Sequence, residues 1–289
     1  MEGGCSSTST RSYLRGEAGT VLSVCGRFVS THTAEQIADY FGASFEGEAP
    51  PENFNVAPTN DILAVVSDGD GLAVKHFQWG LVPTWAKDVK IGSSMINARS
   101  ETIAEKPAFK GVFKKYRCII PMDGFYEWQS ARADSPVNAT GKPVKQPMFI
   151  HRVDDEPLAV AGIWSAWRDK NAEPDAPWLH TCAVITTSAN KMMAPVHDRM
   201  PVILPASAWA KWLDPSTDDV EALQSMLVPA PDSVLTMHKV STDVNNVRNK
   251  GAELIASVDD STDAANDDAD DPAQLVLGEF EAGQLPFDQ

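Results

Sequence analysis

Short apolar runs separated by polar breaks dominate the chain between residues 62 and 240. Segments 62–66, 72–79, 117–122, 125–129, 148–152, 158–164, 179–186 and 234–240 have the length and the β-branched and aromatic content of strands. Helical spacing is scarcer. Thr33-Ala-Glu-Gln36 has the form of a capping box, followed by Ile37, Tyr40 and Phe41 on one face. Ala206–Leu213 and 218–227 also read as helices, the second with Val220, Leu223 and Leu227 in phase. Strands and helices do not alternate regularly, so a doubly wound parallel sheet is excluded. The pattern predicts an α+β fold: a single domain of mixed, largely antiparallel, barrel-like sheet flanked by short helices. Residues 131–146 are polar, contain Gly and Pro and separate two strands, which predicts an exposed hairpin loop.

The ends lack this pattern. Residues 1–24 are rich in Gly, Ser and Thr without a sustained period, and residues 258–289 hold ten Asp and Glu and no Lys or Arg. Both are expected to be disordered, leaving 25–257 as the folded domain. Two apolar motifs interrupt the acidic tail, Gln274-Leu-Val-Leu277 and Gln284-Leu-Pro-Phe287. They resemble ligands of a bacterial sliding clamp; incidental apolar residues are the plainer reading.

The charge changes meaning once it is placed. The whole chain carries 24 Lys and Arg against 40 Asp and Glu, a net of −16, which read alone argues against a nucleic-acid partner. The tail holds ten of the acids, and the charges of residues 1–24 cancel, so the body is at −6. A body that mildly acidic can still carry a basic cleft. The longest strongly apolar uncharged stretch, 157–167, is far short of the ~20 residues that span a bilayer, so no membrane partner is expected. Cys5, Cys25, Cys118 and Cys182 are widely spaced with no Cys-x-x-Cys pair, which suits free thiols in a cytoplasmic setting. Leu22-Ser-Val-Cys25 resembles a lipoprotein cleavage box, but Val24 is large for that position and Glu17 interrupts the apolar region it would need. No metal-spaced cluster is present, and no metal or cofactor is expected. A monomer is the default.

Four clusters could carry chemistry. In Cys25-Gly-Arg-Phe28 a thiol has a cation, Arg27, beside it to lower its pKa; a small buried hydrophobe is the bland alternative. In Met95-Ile-Asn-Ala-Arg-Ser-Glu-Thr102, Asn97 and Arg99 project to one side if the segment is extended; a surface turn would explain them equally. In Gly124-Phe-Tyr-Glu-Trp128, Glu127 stands among aromatics, where a carboxyl pKa rises and general acid work becomes possible; a solvent-facing Glu is the alternative. In Pro195-Val-His-Asp-Arg-Met-Pro201, two prolines frame a loop carrying His197, suited to proton transfer near neutrality, with Asp198 and Arg199 beside it.

Together with Phe54-Asn-Val-Ala-Pro58, Trp79-Gly-Leu-Val-Pro-Thr-Trp85 and Asn246-Val-Arg-Asn-Lys-Gly-Ala-Glu-Leu254, these clusters occur in an order that resembles the SOS-response-associated peptidase family. Its members are abasic-site processing proteins that shield damaged single-stranded DNA. The resemblance implies that Cys25, as an N-terminal residue, forms a thiazolidine with the aldehyde of an abasic site, and that AP-lyase activity accompanies it. It implies that Glu127 is the catalytic carboxylate, that His197 moves protons around the sugar, and that Asn97 orients Cys25 and the opened sugar. Arg27, Arg99 and Arg199 resemble phosphate clamps, Trp85 an aromatic wedge at the lesion, and Asn55 and Thr186 weaker contributors to the cleft. The expected location is cytoplasmic, at the nucleoid on damage.

In the chain as written Cys25 is internal, and an amide nitrogen is no nucleophile. Two routes expose it: translation from Val24 followed by loss of the initiator residue, which is the favoured expectation, or self-cleavage before Cys25. Two other function classes fit the same residues. One is an N-terminal-nucleophile cysteine peptidase or amidase acting on proteins; the other is a non-covalent single-stranded DNA-binding module.

Overall fold

The computed structural model describes residues 25–69, 71–131, 135–138 and 140–258. The expectations for residues 1–24, including a start at Val24, and for the acidic segment from 259 with its two clamp-like motifs lie outside the described residues. In chain order the elements are β1 (Arg27–Ser30), α1 (Ala34–Phe41), β2 (Ser44–Phe45), β3 (Asn53–Val56), β4 (Asp61–Asp68), β5 (Gly71–Trp79), β6 (Asn97–Arg99), α2 (Lys110–Lys115) and β7 (Arg117–Met122). There follow β8 (Gly124–Gln129), β9 (Gln146–Arg152), β10 (Leu158–Trp167), β11 (Leu179–Ser188), β12 (Arg199–Pro201), α3 (Ala206–Leu213), α4 (Val220–Gln224) and β13 (Leu235–Lys239).

Two sheets form. One runs β13-β9-β8-β1-β3, antiparallel throughout. The other runs β12-β11-β10-β7-β4-β5-β2, and β11 also pairs in parallel with β5 at Thr181↔Gln78 and Cys182↔Trp79. That pairing closes β5, β4, β7, β10 and β11 into a five-stranded barrel and so removes its edges. β6 adds in parallel to β11, with Asn97 opposite Val184 and Arg99 opposite Thr186.

Side-chain alternation along these strands sorts the core into layers. Ala64, Val66, Cys118, Ile120, Val160 and Val184 of the barrel meet Cys25, Phe28, Phe125 and Ile150 of the smaller sheet in one cluster. Leu63, Val65, Ile119, Ile163 and Ile185 face the other way, onto Ile37 and Phe41 of α1, Phe113 of α2 and Trp212 of α3. A third layer, with Val29, Tyr126, Phe149 and Val244, covers the far side of the smaller sheet.

The capping box at Thr33 forms as its sequence implies. Gln36 N donates to Thr33 Oγ1 at 3.2 Å and Thr33 N to Gln36 Oε1 at 2.8 Å, and Gly42 ends α1 in the left-handed region at φ 63°. The 218–227 pattern yields a shorter helix, with Asp219 capping Glu221 N and Ala222 N. Residues 130–145 link β8 to β9, closed by a bridge between Val137 and Pro143. Among the described residues no helix is long and apolar enough to cross a membrane.

Gly124 opens β8, the strand that carries Glu127. A Cβ built there lies 2.5 Å from the Phe149 ring and 2.7 Å from Ile150 O, closer than packed atoms approach. Gly124→Ala should therefore destabilise the fold by about 1–3 kcal/mol, read as a lower urea midpoint with unchanged slope; an unchanged midpoint would show that β8 and β9 can separate without cost.

Candidate active site at Cys25

β1 and β8 pair with Arg27 opposite Tyr126 and Phe28 opposite Phe125. Extending that register brings the residues preceding β1 beside Glu127 and Trp128. Cys25 N–H donates to Glu127 Oε1 in a short hydrogen bond between two buried groups. Cys25 has φ 49°, a left-handed conformation that is costly for a non-glycine residue. This turn interrupts the extended backbone just before β1. It directs the thiol into the main core, while Arg27 contacts the layer on the far side of the sheet.

Burial sets the electrostatics here. Glu127 is 3% exposed, and desolvation raises its pKa from 4.5 to about 8 against the lowering effect of the Cys25 and Trp128 N–H groups. Asp198 pushes it further up and Lys145 pulls it down. The carboxyl is thus largely protonated at neutral pH. Burial, and then Glu127, raise the Cys25 thiol as well. The expectation that Arg27 would lower the thiol pKa is therefore corrected: the cation is turned away, and the group beside the thiol is an acid.

The other predicted residues take different positions. Val196 and Ile96, the chain neighbours of His197 and Asn97, belong to the large core cluster that includes Cys25, and Asp198 of the His197 loop acts electrostatically on Glu127. Asn97 is partly buried. His197 Nδ1 lies 2.8 Å from Asp198 Oδ1 and accepts from Arg199 N at 3.1 Å. Only a ring without a proton on Nδ1 can accept there; a ring protonated at Nδ1, neutral or charged, would donate to Asp198 instead. Burial lowers the His197 pKa, which favours the neutral ring; Arg199 N calls for a bare Nδ1 and Asp198 for a protonated one. Gln129 Nε2 donates to Pro195 O at 3.2 Å and ties β8 to the His197 loop. Trp85 is 53% exposed. Its loop leaves from Trp79, which packs edge-on against Phe28 at 5.1 Å, and returns at Ile96, whose carbonyl accepts from Trp79 Nε1 at 3.0 Å.

Arg27 and Asn55 do something other than line a cleft. Arg27 Nη1 donates to Asn55 Oδ1 at 2.9 Å and to Val244 O at 3.0 Å. Asn55 Nδ2 lies 3.1 Å from the carbonyls of Val244, Asn246 and Asn249. Both side chains are buried, and they fasten the 244–250 segment to the smaller sheet. A guanidinium committed in this way has little left for phosphate, so the clamp expected at Arg27 is corrected to an internal brace. Arg199 grips Glu101 with both nitrogens, at 2.6 and 3.0 Å, and Thr186 O at 2.7 Å. Thr186 is buried beneath it, and Arg99 is exposed. Phosphate at Arg199 would have to compete with Glu101.

Sequence reasoning missed Glu101 and Lys145. Glu101 follows Arg99 by two residues in a motif already singled out, but its pairing with Arg199 spans 98 residues. Lys145 sits in the hairpin read only as a loop. Among the described residues no three His, Cys, Asp or Glu side chains group to hold a metal ion.

Comparison with known proteins places the chain in a family. Residues 24–247 match the family of the SOS response associated peptidase (SRAP). The chain is 41% identical over 235 residues to the abasic site processing protein YoaM of Bacillus subtilis, covering 80% of this chain and 97% of that one. It is 31% identical over 243 residues to the abasic site processing protein YedK of Escherichia coli, covering 81% and 100%. A crystal structure of a Bacteroides thetaiotaomicron protein superposes with a TM-score of 0.69 at 25% identity, covering 81% of this chain and all of that one.

The raised Glu127 pKa has a consequence for stability. A group whose folded pKa exceeds its unfolded value contributes fully below the unfolded value, and the contribution is lost as pH rises through the folded one. The window here runs from about 4.5 to about 8. In a Cys25→Ala chain, where the peptide bond before residue 25 stays intact, stability should fall across this window. Adding Glu127→Gln should flatten the fall. Urea unfolding at both ends of the window measures it, and parallel declines in the two chains would show that Glu127 ionises without cost.

Proposed function

The chain belongs to the SOS response associated peptidase family, and from that premise we propose that it processes abasic sites in single-stranded DNA by joining the lesion covalently to Cys25. The observation that carries the reading is the contact between the Cys25 nitrogen and a buried, protonatable Glu127. The relatives' shared name, abasic site processing protein, supplies the substrate class.

The chemistry needs that nitrogen as an amine. Removal of the residue before Cys25 exposes it. In a self-processing route the Sγ attacks the preceding carbonyl, the amide nitrogen leaves with a proton, and water hydrolyses the resulting thioester. Glu127 in its acid form is placed to supply the proton to the leaving nitrogen. The left-handed Cys25 backbone holds the bond beside that carboxyl.

The amine then adds to C1′ of the ring-opened abasic deoxyribose. The carbinolamine loses water to give an imine, Glu127 protonating the departing hydroxyl. Cys25 Sγ adds to the imine carbon, its proton passes to nitrogen, and a thiazolidine ring closes. One water is released overall. His197, neutral in its partly buried setting, assists proton transfers on the sugar, including the β-elimination that gives lyase activity. Asn97 orients the opened sugar. Arg99, and Arg199 on release from Glu101, hold phosphates, and Trp85 stacks against a base beside the lesion. Arg27 and Asn55 act indirectly, by bracing the 244–250 segment.

An abasic single-stranded oligonucleotide should give an adduct that survives a denaturing gel and disappears in Cys25→Ala. Glu127→Gln should slow adduct formation by about 10²–10⁴-fold while leaving DNA affinity within a few-fold. Retardation on native gels alone would favour a non-covalent binding module; peptide turnover indifferent to DNA would favour an amidase. Loss of DNA affinity in Glu127→Gln would make the residue a structural one.

A further inference from the structure

Trp178 exposes 54% of its surface at the end of the β10–β11 hairpin. The exposed part is a flat aromatic ring with one N–H, a surface able to stack on another ring. The ring is also held in place. Arg168 stacks on it with its guanidinium carbon 4.7 Å from the ring centroid, and Arg168 Nη1 is tethered to Pro174 O at 2.7 Å. The stack is fixed before any ligand arrives.

Trp178 stands between two hollows. One, of about 290 Å³, is lined by Thr84, Arg168, Asp169, Lys170, Ala172 and Trp178 itself. The other, of about 390 Å³, brings Phe77, His180 and Asp61 to its far side. Thr84 is the chain neighbour of Trp85, and Trp167 Nε1 donates to Ala86 O at 2.9 Å, which fastens the Trp85 loop to the hairpin that carries Trp178. Two tryptophans, each more than half exposed, therefore flank one fastened junction. The geometry points to a continuous track, and we propose that Trp178 and Arg168 form a second stacking platform that holds a nucleotide of the single strand beyond the one at Trp85.

The occupant follows from the chemistry. A flat, exposed aromatic suits any base, and the adjacent guanidinium and Lys170 suit the phosphates that accompany it. Asp169 and Asp61 offset those cations, so base stacking rather than charge supplies most of the affinity. This extension rests on the single-stranded DNA reading of the Cys25 site, and it lengthens the footprint without touching the reacting atoms.

The test uses the full chain and oligothymidines carrying one tetrahydrofuran, an abasic analogue without the aldehyde, so that binding is reversible. Trp178→Ala should weaken binding to a long oligonucleotide by about 5-fold or more, the effect of one stacked base. It should leave binding to an oligonucleotide with about one flanking nucleotide per side unchanged. Trp178→Phe should restore affinity and lose part of the DNA-induced tryptophan quenching. Arg168→Ala should reduce the salt slope by about 0.7, one single-strand phosphate. Equal affinity of Trp178→Ala and the parent for the long oligonucleotide overturns the platform, and an equal loss on both lengths overturns the extension by placing Trp178 at the lesion. Crosslinking of a natural abasic oligonucleotide, run alongside at saturating DNA, reports on Cys25 separately. Its absence in the parent defeats the covalent reading while the platform stands or falls on the affinities.

Discussion

The buried hydrogen bond from the Cys25 backbone to the Glu127 carboxyl is the constraint around which the rest is arranged. A carboxyl removed from water costs several kcal/mol unless it is protonated or its lone pairs are satisfied. Here protonation and two backbone N–H groups share the task. The contact requires β1 to pair with β8 in one register, because a slip by one residue would send Glu127 to the Tyr126 face. Several features hold that register. Gly124 lets β8 lie against Phe149, Phe28 packs on Trp79, and Tyr126 OH donates to Phe54 O at 2.7 Å. Residues far from the thiol in sequence thus fix the position of one nitrogen.

The long strands and α1 were legible in the sequence because their signals are local. Short apolar runs with β-branched and aromatic content marked β5, β7, β10 and β11, and a capping box marked α1, whose hydrogen bonds close within four residues. Apart from β8, which segment 125–129 announced, the site elements were not legible in the same way. β1, β3, β6 and β12 are three or four residues long, too short for periodicity to register, and they exist because distant strands pair with them. The family resemblance named Cys25, Glu127, His197 and Asn97 without showing which of them touch; the structure joins Cys25 to Glu127. It also assigned Arg27 by residue type alone. A guanidinium satisfied by Asn55 and Val244 O looks identical, in sequence, to one waiting for phosphate.

Charge shows the same limit. The net of −16 belongs mostly to the acidic segment from 259, and the body stands at −6. Even that figure conceals local order: residues 106–115 place Lys106, Lys110, Lys114 and Lys115 at the surface, with Phe109 and Phe113 facing inward. Arg199 shows the opposite case, a cation in the site whose fork is already filled by Glu101. What an anionic strand would meet is decided by exposure and pairing, both invisible to a sum.

A free amine at Cys25 would change the proton arrangement without moving an atom. An α-amino group titrates at about 7.7–8.0, and Glu127 titrates at about 8 while residue 25 is still in peptide linkage. Two such groups in hydrogen-bond contact behave as a pair sharing one proton. The pair can exist as ammonium and carboxylate or as amine and carboxylic acid, and the two differ only in where the proton sits along one bond. Water would favour the ions. Burial removes much of that preference, since both charges must be desolvated together. The buried setting therefore keeps within reach the one form that the proposed reaction requires, a nucleophilic amine beside an acid able to protonate the hydroxyl that leaves. In the proposed chemistry, the desolvation that lifts Glu127 would serve peptide-bond cleavage and imine formation alike, because each begins with a neutral carboxyl next to the same nitrogen.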